Sequence, residues 1–451
     1  MKKHLIIALS VALWSNGLYV AAQYKANPDS IIKVNKDGRV VNRSYFKYDS
    51  SDRQTAVEHY AFNKKTEKWG GTYKEDVQYD ANGNRTQLIV AYWDYETGRW
   101  LDMTRENVAY DVNGRRISEE SMTWNKQRST WVGDRKNNCR YTINGQRAEV
   151  FNYAWDDAKG AWIERDATLS EYDDATRQKK ADIHRQWVNG EWQNSKKEEY
   201  EYDPSTRRLR QTTTLEWQEG QWTPVSSIRY FTSAANERGE KTIVTQTLVY
   251  NKAQQKWDNK EKTTGVQDAR GSELSNKREE WDGQTWHTTK YERTEVGYSS
   301  DGDKIHEARY RWNGGTEWIG VSSTDKTYNN YGDVLSEVRM EWDVNNGTWR
   351  GVVSVKSEYN DMGDVTQEEH YKWDRNTHIW KRQSLAKMTY DTDHNKTYET
   401  TSSWNPRKDR WEEFYKGRFD YRLGYDGNIM SQTEYIWENK DWKMVQTVRY
   451  H

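Results

Sequence analysis

Two sets of residues recur through this chain at one shared period. A tyrosine-led turn signal falls at Tyr48, Tyr79, Tyr110, Tyr141, Tyr172 and Tyr202, and again at Tyr298, Tyr328, Tyr359, Tyr390 and Tyr421. The step is 31 residues, occasionally 30, and two degenerate units with turns near "ANERGE" and "QDARGS" fill the gap. Tryptophans keep the same step. They come in pairs five to seven residues apart, such as Trp93 with Trp100, Trp124 with Trp131, Trp155 with Trp162, and Trp342 with Trp349. Phe62 and Tyr250 take the place of the first ring beside Trp69 and Trp257, and with Trp14 every tryptophan has a place. A fixed period of this length is the signature of a repeat architecture, here of 13 units.

Each unit has two turn signals. One reads "YDANG", "YDVNG" or "YNDMG"; Asn-Gly and Asp-Gly tolerate the positive φ that tight hairpin turns need. The other is a polar loop between the two ring positions, such as "DYETGR". Between them lie runs of about ten residues rich in Val, Thr, Tyr and Trp, which read as strands. The fold class predicted is therefore all-β: a long antiparallel meander of about 13 hairpins, or roughly 26 strands, over residues 48–451, with residues 23–47 as an N-terminal strand or cap segment.

Side-chain alternation sharpens this. Two before the first ring stand Tyr60, Ala91, Met122, Tyr153, Leu215 and Leu248; one before it stand Thr123, Gln186, Glu216 and Glu280. Two before the turn tyrosine stand Val77, Val108 and Cys139. Period-two patterning predicts one apolar face carrying the rings and Cys139, and one charged face. At ~4.8 Å per strand the sheet is on the order of 125 Å wide. Such a sheet curls, as a spiral, an arch or a shell. An outer-membrane barrel is rejected because neither face offers a charge-free band.

Composition agrees with a folded chain rather than a disordered one. The apolar fraction is 34% and the mean hydropathy −1.23, but 25 Trp and 31 Tyr supply large buriable rings. Lys and Arg number 69 against 70 Asp and Glu, so no basic face points to nucleic acid. Residues 1–22, with Lys2, Lys3, the run "LIIALSVALW" and the small residues of "YVAA", read as a signal peptide. The expected location is periplasmic or extracellular, with no membrane span in the mature chain. Cys139 is the single cysteine, so no internal disulfide forms, and its place in an apolar column makes it a packing residue.

The turn motif "YDANGNR" resembles the YD repeat of the Rhs and teneurin group. The resemblance implies a spiralling sheet of hairpins around a hollow shell. The period here is longer, and neither a shell plug nor a toxin cargo is recognisable. A weaker likeness links the "YDxNG" turns and Trp pairs to aromatic cell-wall-binding repeats, which recognise choline or glucan. The signal peptide followed by Trp-rich hairpins is also similar to uncharacterised exported repeat proteins of Bacteroidetes.

No catalytic motif stands out. The nine histidines are scattered, and no zincin spacing, nucleophile elbow or phosphate loop is present. Asp80, Asn82 and Asn84, and Asp301 with Asp303, have the look of partial calcium loops, but plain turn chemistry accounts for them. No cofactor or metal is implied. The candidate ligand-binding residues are Trp93, Trp100, Trp124, Trp131, Trp155, Trp162, Trp342 and Trp349, whose rings suit sugar faces or a partner protein. Packing of each pair on its neighbour is the competing role. A site is expected where the repeat degenerates, residues 225–275. Three functions follow: a non-catalytic binding or adhesion surface for glycan or protein, a shell enclosing a partner, and a glycan-active enzyme.

Overall fold

The computed structural model describes residues 27–425 and 427–451; residues 1–22, read above as a signal peptide, lie outside them. The described residues form 28 strands and no helix. Each strand pairs antiparallel with its neighbour in sequence, as β5 (Arg85–Asp94), β6 (Arg99–Tyr110), β7 (Arg116–Asn125) and β8 (Thr130–Tyr141) do. The N-terminal segment supplies a fourteenth hairpin, β1 (Ser30–Asn35) and β2 (Val40–Tyr48).

The sheet does not stay open. β1 pairs along its other edge with β28 (Asp441–Tyr450), Ile31 opposite Tyr450 and Asn35 opposite Gln446, and His451 N–H donates to the Ser30 carbonyl at 2.9 Å. The spiral and the arch are thereby corrected to a closed barrel, and the count of 26 strands to 28. Closure removes both exposed edges, which in an open sheet would template association.

Pairing drifts steadily round the ring. Gln87 faces Asn107, and Asn107 faces Glu120, whereas the repeat equivalent of Gln87 is Ser118, two residues before Glu120. One residue of drift per strand corresponds to a strand tilt of roughly 35°. A circular section with 28 strands is then on the order of 50 Å across. The barrel is not filled. Its accessible surface is 30338 Å², where a compact protein of 53.8 kDa presents about 18,000 Å².

One expectation fails for a specific reason. In each tryptophan hairpin the second strand carries a β-bulge three residues after its Trp, at Thr72, Met103, Asp134 and Arg165 in the first four units. An extra residue reverses the alternation beyond it. The column of Val108 and Cys139 therefore lies on the face opposite the tryptophans, and neither face is wholly apolar or wholly charged. The tryptophan face holds the ion pairs Lys74–Glu58 (3.2 Å) and Lys136–Glu120 (3.5 Å); the other holds Arg135–Glu119 (2.9 Å) and Arg278–Glu261. Cys139 is still a packing residue, 7% exposed, its thiol pKa raised by burial.

Chirality decides which face looks outward. Asn189 and Gly190, with φ of 52° and 88°, form a two-residue turn closed by Val188 opposite Glu191. Such a turn makes its flanking pair hydrogen-bonded. The next pair, Trp187 and Trp192, is thus non-hydrogen-bonded, and the N–H and C=O of Trp187 point to the preceding strand. On an ascending strand of L-residues, a residue whose side chain points at the viewer directs these groups to the right. The following strand is then on the left. In a barrel of right-handed strand twist seen from outside, pairing followed leftward climbs. The pairing from β5 to β7 does climb, by two residues. The viewer therefore stands outside: tryptophans face out, and the turn tyrosines and Cys139 face the lumen.

Both faces tie each hairpin to the one before. On the lumen side the turn tyrosine donates back to a backbone carbonyl, Tyr79 to Gln54 (3.0 Å), Tyr110 to Arg85 (3.1 Å) and Tyr141 to Arg116 (2.8 Å). On the outside the Trp pair of a unit leans on the preceding one, and in four places it lies over a glycine there, at Gly71, Gly133, Gly320 and Gly351. A Cβ on Gly133 would stand 2.4 Å from Trp162 and 2.5 Å from Trp155, closer than any side chain tolerates. Gly133→Ala should cost about 1–3 kcal/mol of unfolding free energy through overpacking. Gly265→Ala, where the nearest atom is 3.8 Å away, should cost well under 1 kcal/mol; denaturant titration of the two variants checks the contrast.

Candidate functional site

The tryptophan rim is built by cross-strand pairing. Trp93 stands opposite Trp100, Trp124 opposite Trp131, Trp155 opposite Trp162 and Trp342 opposite Trp349. Ring centroids are 5.2, 5.3, 5.2 and 5.2 Å apart at interplanar angles of 79°, 72°, 79° and 83°. This edge-to-face geometry places the positive rim of one ring against the negative face of the other. Phe62–Trp69 and Tyr250–Trp257 repeat it with the substituted ring.

Successive pairs are wired together. The indole N–H of Trp100 donates to the Tyr60 hydroxyl at 2.9 Å, and that of Trp162 to Glu120 at 2.7 Å. Arg105 lies 4.6 Å over Trp131, and Lys136 5.9 Å over Trp162. Packing thus takes one side of each ring, but not the whole. No tryptophan among the described residues is buried, and Trp217 and Trp437 are 37% and 40% exposed.

The exposed parts of the rings line clefts between consecutive hairpins. One, of ≈ 490 Å³, is bounded by Trp124, Trp131 and Trp155 with Met122, Arg128 and Asp157. A second, ≈ 890 Å³, lies between Trp373 and Trp404, and a third, ≈ 300 Å³, between Trp312 and Trp318. Of the eight candidate tryptophans, the structure brings Trp124, Trp131 and Trp155 together in one cleft. Trp93, Trp100, Trp162, Trp342 and Trp349 keep their ring pairs but line none of these three. Trp312, Trp318, Trp373 and Trp404 were missed, although their position in the repeat is the same. The degenerate stretch 225–275 contributes to none of the three clefts; it forms regular strands β14 (Gln221–Thr232), β15 (Lys241–Asn251) and β16 (Lys256–Gln267), with the β17 strand beginning at Glu273.

The turn carboxylates are structural. Asp80 accepts from the backbone N–H of Asn82 and Asn84 (2.9 Å each) and from the Asn84 side chain (3.0 Å), which holds its pKa down. Among the described residues no three or more His, Cys, Asp or Glu side chains come together in a group that could hold a metal ion. At the rim, Asp374 is paired with Lys381 and accepts from Asn376 and Thr377 N–H (2.9 and 3.1 Å). The Lys381 ammonium first, then the backbone donors, hold it down at about 2.

No helix of the described residues is long and apolar enough to cross a membrane. On the outer wall, the pairs Lys74–Glu58, Lys136–Glu120 and Lys262–Glu279 interrupt any apolar belt of the kind a lipid-embedded barrel presents.

Residues 101–169 match the family of unknown function DUF3836. No curated protein matches. Among solved structures, a Bacteroides fragilis protein of unknown function is 14% identical over 28% of this chain and 89% of its own, at a TM-score of 0.24. The TcdB2-TccC3-TEV structure is 11% identical over 90% of this chain and 26% of its own, at 0.25. A porin-like protein from Bacteroides uniformis is 11% identical over 63% and 93%, at 0.11.

The pH dependence of stability follows from the turn aspartates. Their folded pKa values lie below the unfolded ~3.9, so the stability they add is present above that value and is lost as pH falls through the folded one. The denaturation midpoint should be flat from pH 7 to about 5 and fall between about 4 and 2. Asp374→Asn should flatten part of that decline; a midpoint series in pH for both proteins checks it.

Proposed function

We propose that the protein is a non-catalytic binding barrel whose outer tryptophan rim recognises glycans. The observation that carries this is the set of inter-hairpin clefts walled by partly exposed indoles. A sugar ring presents an apolar face and a polar edge. An indole wall flanked by Arg, Asp and Thr offers the matching surface, and such amphipathic sites are common where one end is apolar and the other wet. A repeated, rigid array of weak sites also suits a polymer with a repeating unit, since linked sites gain by effective concentration. The reading goes with export, as the N-terminal sequence suggests, and with a surface rather than an enclosed role.

A second reading has its own observation. The ring is closed and its lumen unfilled, as in a shell that encloses a partner, which is also what the likeness of the turns to YD repeats implies. Native mass spectrometry of the purified protein separates the two: a retained guest favours the shell, and a bare chain mass the surface.

The glycan reading is tested on an array with intrinsic Trp fluorescence as readout. At least one glycan class should shift the emission, and Trp155→Ala should weaken the shift several-fold for a ligand seated in the cleft it lines. A protein that responds to no glycan contradicts the reading.

A further inference from the structure

We infer that the lumen docks one folded protein domain, of about 100–150 residues, that is apolar on one side and charged on the other. This rests on the enclosing reading of the closed ring, not on the glycan reading of the rim, and gives the enclosed partner a chemistry. The residue beside each tryptophan points to the opposite face of the sheet, so the slots behind the ring pairs form a belt on the lumen wall. From β3 (Gln54–Asn63) to β10 (Ala161–Tyr172) these slots are uncharged: Tyr92 stands opposite Leu101, Thr123 opposite Val132 and Ala154 opposite Ile163. From β17 (Glu273–Trp281) to β24 (Ile379–Tyr390) the same slots carry charge: Arg311 stands opposite Ile319, Glu341 opposite Arg350 and Lys372 opposite Lys381. β17 comes 14 strands after β3, half of the 28 in the ring, so the two sectors face each other across the lumen.

The next row of side chains repeats the contrast, with Tyr73 and Val90 in the first sector and Arg309 and Arg339 in the second. Charges that the first sector does hold are tied down locally. Arg135 meets Glu119 at 2.9 Å and Arg85 meets Glu106 at 3.1 Å, while Glu75 accepts from the Tyr73 hydroxyl and has its pKa raised by burial. The apolar side chains are not covered: Tyr73 and Ile163 are each 36% exposed, and Tyr92, Leu101 and Val132 are half-buried. Eight strands and three rows of side chains make this sector roughly 38 Å wide and 20 Å high, an area on the order of 700 Å². An uncovered apolar area of that size marks an interaction site, and it approaches the ~800 Å² that one partner contributes to a standard interface. The lumen sets the size of the occupant. A wall on the order of 50 Å across, less a side-chain layer of about 5 Å on each side, leaves roughly 40 Å free. A single acyl chain is too short to touch both sectors. A domain of about 100–150 residues is roughly 33–38 Å across, so it can lay an apolar face on one sector while a charged face meets the other.

The test uses the full chain and has two arms. Made alone, the protein should enhance the fluorescence of the dye ANS, a probe of exposed apolar surface. Leu101→Glu combined with Ile163→Glu should cut that signal several-fold while unfolding stays cooperative, because both side chains are part-exposed. In the cell that makes the protein, a photoreactive benzoylphenylalanine is placed at Leu101, at Lys372 or, on the outer face, at Gln87. One and the same small protein should be captured at both lumen positions and not at Gln87, and the two glutamates should reduce its capture at Lys372 several-fold. A dye signal that the glutamates leave unchanged overturns the inference. So does a guest captured at both walls but indifferent to the glutamates, and so do adducts of lipid alone or of a second copy of this chain; each leaves the enclosing reading intact. No adduct at either lumen position overturns both. The glycan response of the outer rim enters none of these outcomes.

Discussion

The structure depends on a ring pair in a non-hydrogen-bonded cross-strand site, leaning back on the hairpin before it. A barrel with an unfilled lumen has no second layer to pack against, so the apolar burial that stabilises a domain has to be found within the wall. Indoles do this because each is large enough to cover its partner and reach a neighbouring unit. Trp155 and Trp162 meet edge to face at 5.2 Å and together cover Gly133 of the preceding unit. A pair of this geometry contributes about 0.5–1.5 kcal/mol beyond its buried area, and the wall repeats the arrangement in nearly every hairpin. Stability is then close to a sum of nearest-neighbour terms, as in solenoids, except that closure joins the last term to the first.

The bulge converts this wall into a ring. A bulged strand twists and bends more than a regular one. Here the irregularity recurs at one place in every tryptophan hairpin, as at Met103 and Asp134. The added coiling is uniform, so the pairing drift is uniform, and the sheet returns to its own first strand in register. The bulge also divides labour between the faces: rings outside near one rim, turn tyrosines on the lumen side near the other. Each face carries its own inter-unit tie, the indole on the outside and the Tyr-to-carbonyl hydrogen bond within.

Much of this was legible in the sequence, and the failures have physical causes. The hairpins could be read because turn chemistry is local: Asn-Gly and Asp-Gly mark the reversals, and the two rings flanking the polar loop mark the register, so Trp93 opposite Trp100 follows from spacing alone. The bulge could not be read. Its slot holds Thr72, Met103, Asp134, Arg165 and Phe414 in different units, with no residue type in common, because only the backbone is being used there. Missing it assigned Cys139 to the tryptophan face. Closure was equally silent, since Ile31, Lys33 and their partners on β28 look like any other strand residues, and meeting them depends on coiling accumulated over the whole sheet. The clefts were half visible. The rings were identified, but the residues that distinguish one cleft from another, such as Arg375 and Arg128, sit in loops where charge is common.

The central claim is that the first strand pairs with the last. It is tested most directly by an engineered disulfide across that seam. Ile32 stands opposite Arg449, and directly opposed residues in an antiparallel pair have Cβ atoms about 4.5–5.5 Å apart, close enough for a bridge with small adjustment. With Cys139 replaced by serine, Ile32→Cys combined with Arg449→Cys should oxidise to a monomer whose ends are joined. That product should migrate faster than its reduced form in a denaturing gel. A protein that stays reduced under mild oxidation, or that forms only intermolecular bridges, would show that the two ends do not meet and that the sheet is open.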